Sequence, residues 1–94
     1  MRLTCCVPFC RRTTANKEGF EEWICRDHWM AVPKSHRRRK SNLGRRYTKK
    51  FGNTQFWEYQ AGSKQRLEAV RLMRLWTTAW RICKRIAIER AVGI

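Results

Sequence analysis

The residues of this chain best suited to hold a metal are its five cysteines and two histidines, and their placement is uneven. Cys5, Cys6, Cys10 and Cys25 crowd into the N-terminal quarter, and His28 follows Cys25 by three positions. Structural zinc favours four thiolate or imidazole ligands in a tetrahedron, commonly supplied as two pairs, each close enough in sequence for one local turn to present both. Cys5-x4-Cys10 forms one such pair. Cys25-x2-His28 forms the other, with its members one helical turn apart. All four positions are then filled by protein, so the spacing predicts a structural zinc with no open place for water or substrate. Cys6-x3-Cys10 stands as a rival first pair. Disulfides, the competing use of cysteines, need an oxidising compartment. The N-terminus MRLTCCVPFCRR has no apolar stretch of the signal-peptide kind, and no run approaches the roughly 18 apolar residues of a membrane span. The expected setting is therefore reducing and cytoplasmic, with no membrane partner.

Charge supplies the second signal. Lys and Arg number 22 against 7 Asp and Glu in 94 residues, a net charge of +15. So large an excess calls for a polyanionic or acidic partner. Residues 1–33 are nearly neutral. Residues 34–50 carry Lys34, Arg37, Arg38, Arg39, Lys40, Arg45, Arg46, Lys49 and Lys50 with no acid among them. Residues 51–94 return to a mixed pattern rich in Trp and Leu. With no repeat and no long Gly/Ser linker, the chain reads as one domain, 1–94. Its parts are a zinc module (1–33), a basic segment (34–52), and an aromatic segment with a C-terminal amphipathic helix (53–94).

The elements that must position these residues follow from local pattern. Thr13 to Ala15 and Phe20 to Ile24 suit short strands on either side of Asn16-Lys17-Glu18-Gly19, a turn-prone tetrapeptide. Cys25 to Met30 suits a helical turn that stops before Pro33, which can itself open the next helix. Leu43, Tyr47 and Phe51, spaced by four, give that helix a narrow apolar stripe, while Asn42 and Gly44 argue for an interruption. Gly62-Ser63 supplies a stop and an N-cap. From Lys64 to about Ala91, Leu72, Met73, Leu75, Trp76, Ala79, Trp80, Ile82, Cys83, Ile86 and Ala87 fill roughly half of a helix circumference. Arg71, Arg74, Thr78, Arg81, Arg85 and Glu89 fall on the other side. Cys83 and the Trp76–Trp80 pair are expected in the core, and Trp23, Trp29 and Trp57 as cover for the zinc module. The expected fold is mainly α, with a small N-terminal hairpin in a treble-clef-like zinc module.

Cys5-Cys6-Val7-Pro8-Phe9-Cys10, Cys25-Arg26-Asp27-His28-Trp29 and Val32-Pro33-Lys34 together resemble small zinc-finger proteins of bacteriophages and prophages. These share C-x4-C, C-x2-H-W and V-P-K/R ahead of an Arg-rich helix. The knuckle is also similar to the treble-clef finger of some phage HNH-type endonucleases, in which a Gly often precedes the second Cys; here Phe9 stands there. The resemblance implies a treble-clef-like zinc module and a bacterial host cytoplasm. It implies no nuclease, because no H-N-H arrangement follows.

Two functions compete. In the first, residues 34–50 lie along nucleic-acid phosphates, with Arg71, Arg74, Arg81 and Arg85 as a second basic strip. In the second, the same charge steers a phage effector, for example an anti-defence or anti-CRISPR protein, onto an acidic surface of a host protein or nucleoprotein complex. The broad apolar helix face also suits a homodimer. An enzyme is not expected: Asp27, Glu58, Glu68 and Glu89 are scattered, and there is no paired carboxylate, Ser/His/Asp set or glycine-rich phosphate loop.

Overall fold

A computed structural model describes residues 2–17 and 19–93. Its N-terminal strands are β1 (Arg2–Thr4) and β2 (Thr13–Ala15), antiparallel with Leu3 opposite Thr14. Thr13–Ala15 is thus a strand as expected, but its partner is Arg2–Thr4 and not Phe20–Ile24. The cause lies in Asn16. Its amide donates to the Phe20 carbonyl at 2.8 Å and its Oδ1 accepts from the Phe20 N–H at 2.9 Å, clasping the loop before a second strand can fold back on β2. Glu18, in that expected turn, lies outside the described residues. Segment 20–24 instead meets the knuckle, through a bridge between Cys5 and Trp23 and the Cys6 N–H donated to the Trp23 carbonyl at 2.8 Å.

Helix α1 (Arg26–Met30) is one short turn capped by Cys25 in extended conformation. Pro33 then precedes α2 (Lys34–Phe51) and sits one position outside it, its carbonyl accepting from the His36 and Arg37 N–H groups. The segment is a helix as expected, without the interruption that Asn42 and Gly44 argue for. Leu43, Tyr47 and Phe51 are all buried and hold the helix through Asn42 and Gly44. An interior glycine costs about 1 kcal/mol relative to alanine. Burial of those three side chains outweighs that cost, and a Cβ on Gly44 would meet Trp76 Nε1 at 3.4 Å, an ordinary contact. The helix ends at Gly52, whose positive φ of 59° suits glycine.

A short 3-10 turn (Phe56–Glu58) leads to α3 (Lys64–Ala91), whose N-cap Ser63 accepts the Arg66 N–H at 3.2 Å. At about 1.5 Å per residue, α3 runs roughly 42 Å. It sets the long axis of a 45 × 30 × 18 Å molecule. Its small residues Ala69, Ala79, Cys83 and Ala87 are all buried and let other elements come close. Two clusters form along it. One joins Cys5, Val7, Ile24, Cys25 and Val32 to Cys83 and Ala87; the other joins Tyr47 and Phe51 to Ala69 and Leu72. Leu75, Ile82 and Ile86 belong to neither cluster and are half-exposed, so the apolar face of α3 is broader than the core it meets. No helix among the described residues is long and apolar enough to cross a membrane.

Candidate metal centre and basic surfaces

The knuckle, the bridge to Trp23 and the first turn of α1 converge on one point. There the ligand atoms of Cys5, Cys10, Cys25 and His28 all lie within 4.8 Å of one another. Cys25 Sγ is 3.1 Å from His28 Nδ1, Cys5 Sγ is 3.6 Å from the same nitrogen, and Cys10 Sγ is 3.9 Å from Cys25 Sγ. A tetrahedral zinc with Zn–S near 2.3 Å and Zn–N near 2.0 Å separates its ligands by about 3.5–3.8 Å. The four side chains are therefore close enough to bind one ion. None of the cysteines forms a disulfide.

Cys6 is outside this set. It points the other way, toward Glu22 Oε2 at 3.8 Å, so the rival first pair gives way to Cys5. The choice follows from the backbone: Cys5 N–H is donated to the Arg12 carbonyl and Cys6 N–H to Trp23, which turns consecutive side chains to opposite sides. Phe9 closes the knuckle at φ +67°, the one non-glycine residue with positive φ among the described residues. It occupies the left-handed position that a glycine would fill with less strain, and its side chain is 100% exposed.

The electrostatics suit thiolates at part of the site. Burial acts to raise the Cys25 thiol. The His28 backbone N–H, the Cys5 and Cys10 thiols and the Arg12 charge together outweigh it, and the thiol lies below its ordinary value. Cys5, dominated by burial, lies above its ordinary value. Arg12 is held in place by Asp27 at 2.6 Å.

The apolar surroundings are Val7, Ile24 and Val32 from the module and Cys83 and Ala87 from α3. Cys83 is fully buried, its Sγ 3.5 Å from the His36 carbonyl, and burial pushes its thiol up. Trp23 and Trp29 pack on this cluster as expected, whereas Trp57 sits 61% exposed in the 3-10 turn. Trp76 and Trp80 stack 6.4 Å apart, half-buried. Two attachments of the module to the helices were not legible in the sequence. Glu22 pairs with Lys84 and accepts from Trp80 Nε1, and Lys40 Nζ lies 5.4–5.8 Å from the ring centroids of Trp29, Trp76 and Trp80. Burial lowers the Lys40 ammonium. Residues far apart in the chain make these contacts, so no local motif announces them.

The thirteen sequence-selected cations divide by their surroundings. Arg37 donates to the Val32 carbonyl at 2.9 Å, Lys40 is enclosed by the indoles and Lys50 pairs with Glu68. Lys34, Arg38, Arg39, Arg45, Arg46 and Lys49 are exposed, with no ion pair among the described residues. Lys34, Arg38, Arg45 and Lys49 fall in one row along α2, and Arg45 and Lys49 border an open groove of about 630 Å³ beside Trp76. On α3, Arg71, Arg74, Arg81 and Arg85 are exposed and lie opposite Leu72, Ala79 and Cys83. Since α2 packs on the buried side of α3, the two basic strips face away from each other. His36 is half-buried on α2 and stands apart from the metal cluster. Comparison with protein-family models, curated proteins and solved structures returns no match.

Proposed function

We propose that the Cys5, Cys10, Cys25, His28 cluster holds one structural zinc ion, and that the module so fixed sets the start of α2, whose exposed cations bind nucleic acid through its phosphates. The observation that carries this reading is the surface of α2. Six exposed cations with no ion pair among the described residues (Lys34, Arg38, Arg39, Arg45, Arg46 and Lys49) share one helix that contains no acid. A thiolate-rich, fully protein-filled ligand set favours zinc over harder ions such as magnesium or calcium. The metal's role is then positional, because the Val32–Pro33 turn carries the chain from the module into the basic helix within a few residues.

Phosphate contacts position a protein without reading bases, so binding is expected to be sequence-tolerant. If all six cations neutralise phosphates, log affinity falls against log salt with a slope of about −5, roughly 10³-fold between 50 and 200 mM. A titration of short duplex DNA, single strands and RNA at those two salt concentrations tests this. A flat salt response removes the reading. Replacing Arg38, Arg45 and Lys49 by Ala should reduce the slope by about 3 and leave the zinc content at one per chain. Arg37 is unsuitable for this test because it also closes the Val32 turn.

A further inference from the structure

We infer that the outer face of α3 between Leu67 and Thr78 is a docking groove for an acidic amphipathic helix of a partner protein. A groove of about 430 Å³ runs along this face, with Leu67, Val70 and Leu75 as its apolar lining and Arg71 and Arg74 set among them. These residues recur at i, i+3, i+4, i+7 and i+8, the spacing into which the side-chain ridges of a second helix fit. Leu67 is 64% exposed, and neither core cluster includes Leu67, Val70 or Leu75. No acid lines the groove, and Arg71 and Arg74 have no ion pair among the described residues.

Three other occupants fit less well. A second copy related by two-fold symmetry would set Arg71 and Arg74 against their own equivalents, with no carboxylate to pair them. Nucleic acid would reward the arginines and leave the Leu and Val side chains without gain. A bilayer would have to take in guanidinium groups lying at the centre of the apolar stripe, whereas membrane-surface helices carry their charges on the opposite face. An acidic helix with leucines along its seam satisfies both components at once, the apolar lining by burial and the arginines by carboxylates.

The probe is a fluorescent synthetic peptide of about three heptads with Leu at the seam and Glu beside it, titrated by anisotropy against the full zinc-loaded chain near physiological salt. Saturable one-to-one binding is expected, with a scrambled peptide of the same composition about tenfold weaker or worse. Leu67→Asp, at an exposed position, should weaken binding at least about tenfold with circular dichroism and zinc content unchanged. Arg71→Glu with Arg74→Glu should lose the Glu peptide and gain a Lys-substituted version of it. Equal binding of the scrambled peptide, or an unaffected Leu67→Asp variant, overturns the inference. So does a dimer in light scattering that Leu67→Asp dissolves, which assigns the face to a second copy. Phosphatidylserine vesicles or a short duplex whose affinity drops about tenfold in Leu67→Asp would assign it to a membrane or to nucleic acid, again overturning it.

Discussion

The two buried clusters of this protein share one helix and are held by different chemistry. Beneath the N-terminal module, α3 contributes the buried Cys83 and Ala87 with Trp80 and Ile88 beside them, and the module supplies Cys5, Val7, Ile24, Cys25 and Val32 around the candidate ligand set. At the other end, Tyr47 and Phe51 pack on Ala69 and Leu72, with Phe56, Tyr59 and Met73 around them and the Tyr47 hydroxyl donated to the Thr54 carbonyl at 2.7 Å. The distal cluster is an ordinary aromatic and aliphatic core built from long helices. The proximal one is assembled from two three-residue strands and a five-residue helix, too little regular structure to bury much area on its own. On the proposed reading, stability comes from ligation at one end and from packing at the other, and the two are expected to fail separately.

Metal removal should have the largest effect. Structural zinc sites contribute about 10–16 kcal/mol of apparent binding free energy near neutral pH. Chelation, or Cys25→Ser, is expected to unfold residues 2–33 while the amides of the distal end of α2 and α3 stay protected in hydrogen exchange. Uniform loss of protection would mean that the two ends fold as one unit. Cys5→Ser should lose the metal and Cys6→Ser should keep it, read directly from metal content. Next comes Leu72→Ala, which opens the distal cluster and should cost about 2–5 kcal/mol in denaturant unfolding with zinc content unchanged. Loss of zinc in that variant would erase the distinction between the clusters.

A smaller change tests the knuckle. Phe9→Gly releases roughly 1–2 kcal/mol of left-handed strain and returns about half of it as unfolded-chain entropy. A rise in stability of under about 1 kcal/mol is expected, while the β-branched Phe9→Val should lower it. The smallest effect is the Glu22–Lys84 clamp. The hydrogen bond from Lys84 holds the Glu22 carboxyl below its ordinary value, aided by Trp80 and opposed by burial. A depressed folded value means the pair stabilises above the ordinary Glu value of about 4.3 and the gain is lost as pH falls through the lower folded value. Lys84 is raised by the same bond, so its contribution is complete below the ordinary lysine value of about 10.4 and lost at still higher pH. Both side chains are partly exposed, which limits the pair to about 0–1 kcal/mol. Glu22→Gln should flatten the acid limb of a stability-against-pH curve.

The parts of this architecture legible in the sequence are those encoded locally. Ligand spacing identified all four members of the cluster that could hold a metal ion, the period of apolar residues placed α3 from Lys64 to Ala91, and Ser63 marked its start. The failures are cases where distant residues decide. Asn16 closing on Phe20 redirected the hairpin, and burial of Leu43, Tyr47 and Phe51 carried α2 unbroken through the apparent breaker Gly44. Charge alone pointed to nine cations in residues 34–50 and to a second strip of four arginines on α3. Packing engages three of the nine, leaves six exposed with no ion pair among the described residues, and sets the α3 strip on the far side of that helix.

The position of Cys83 and Ala87 also sets the order in which contacts can form. The four candidate ligands all lie between Cys5 and His28, whereas the residues that floor their cluster come from α3, far along the chain. Contacts between residues close in sequence cost less loop entropy than contacts between distant ones. The module is thus expected to gather its ligands before α3 covers them.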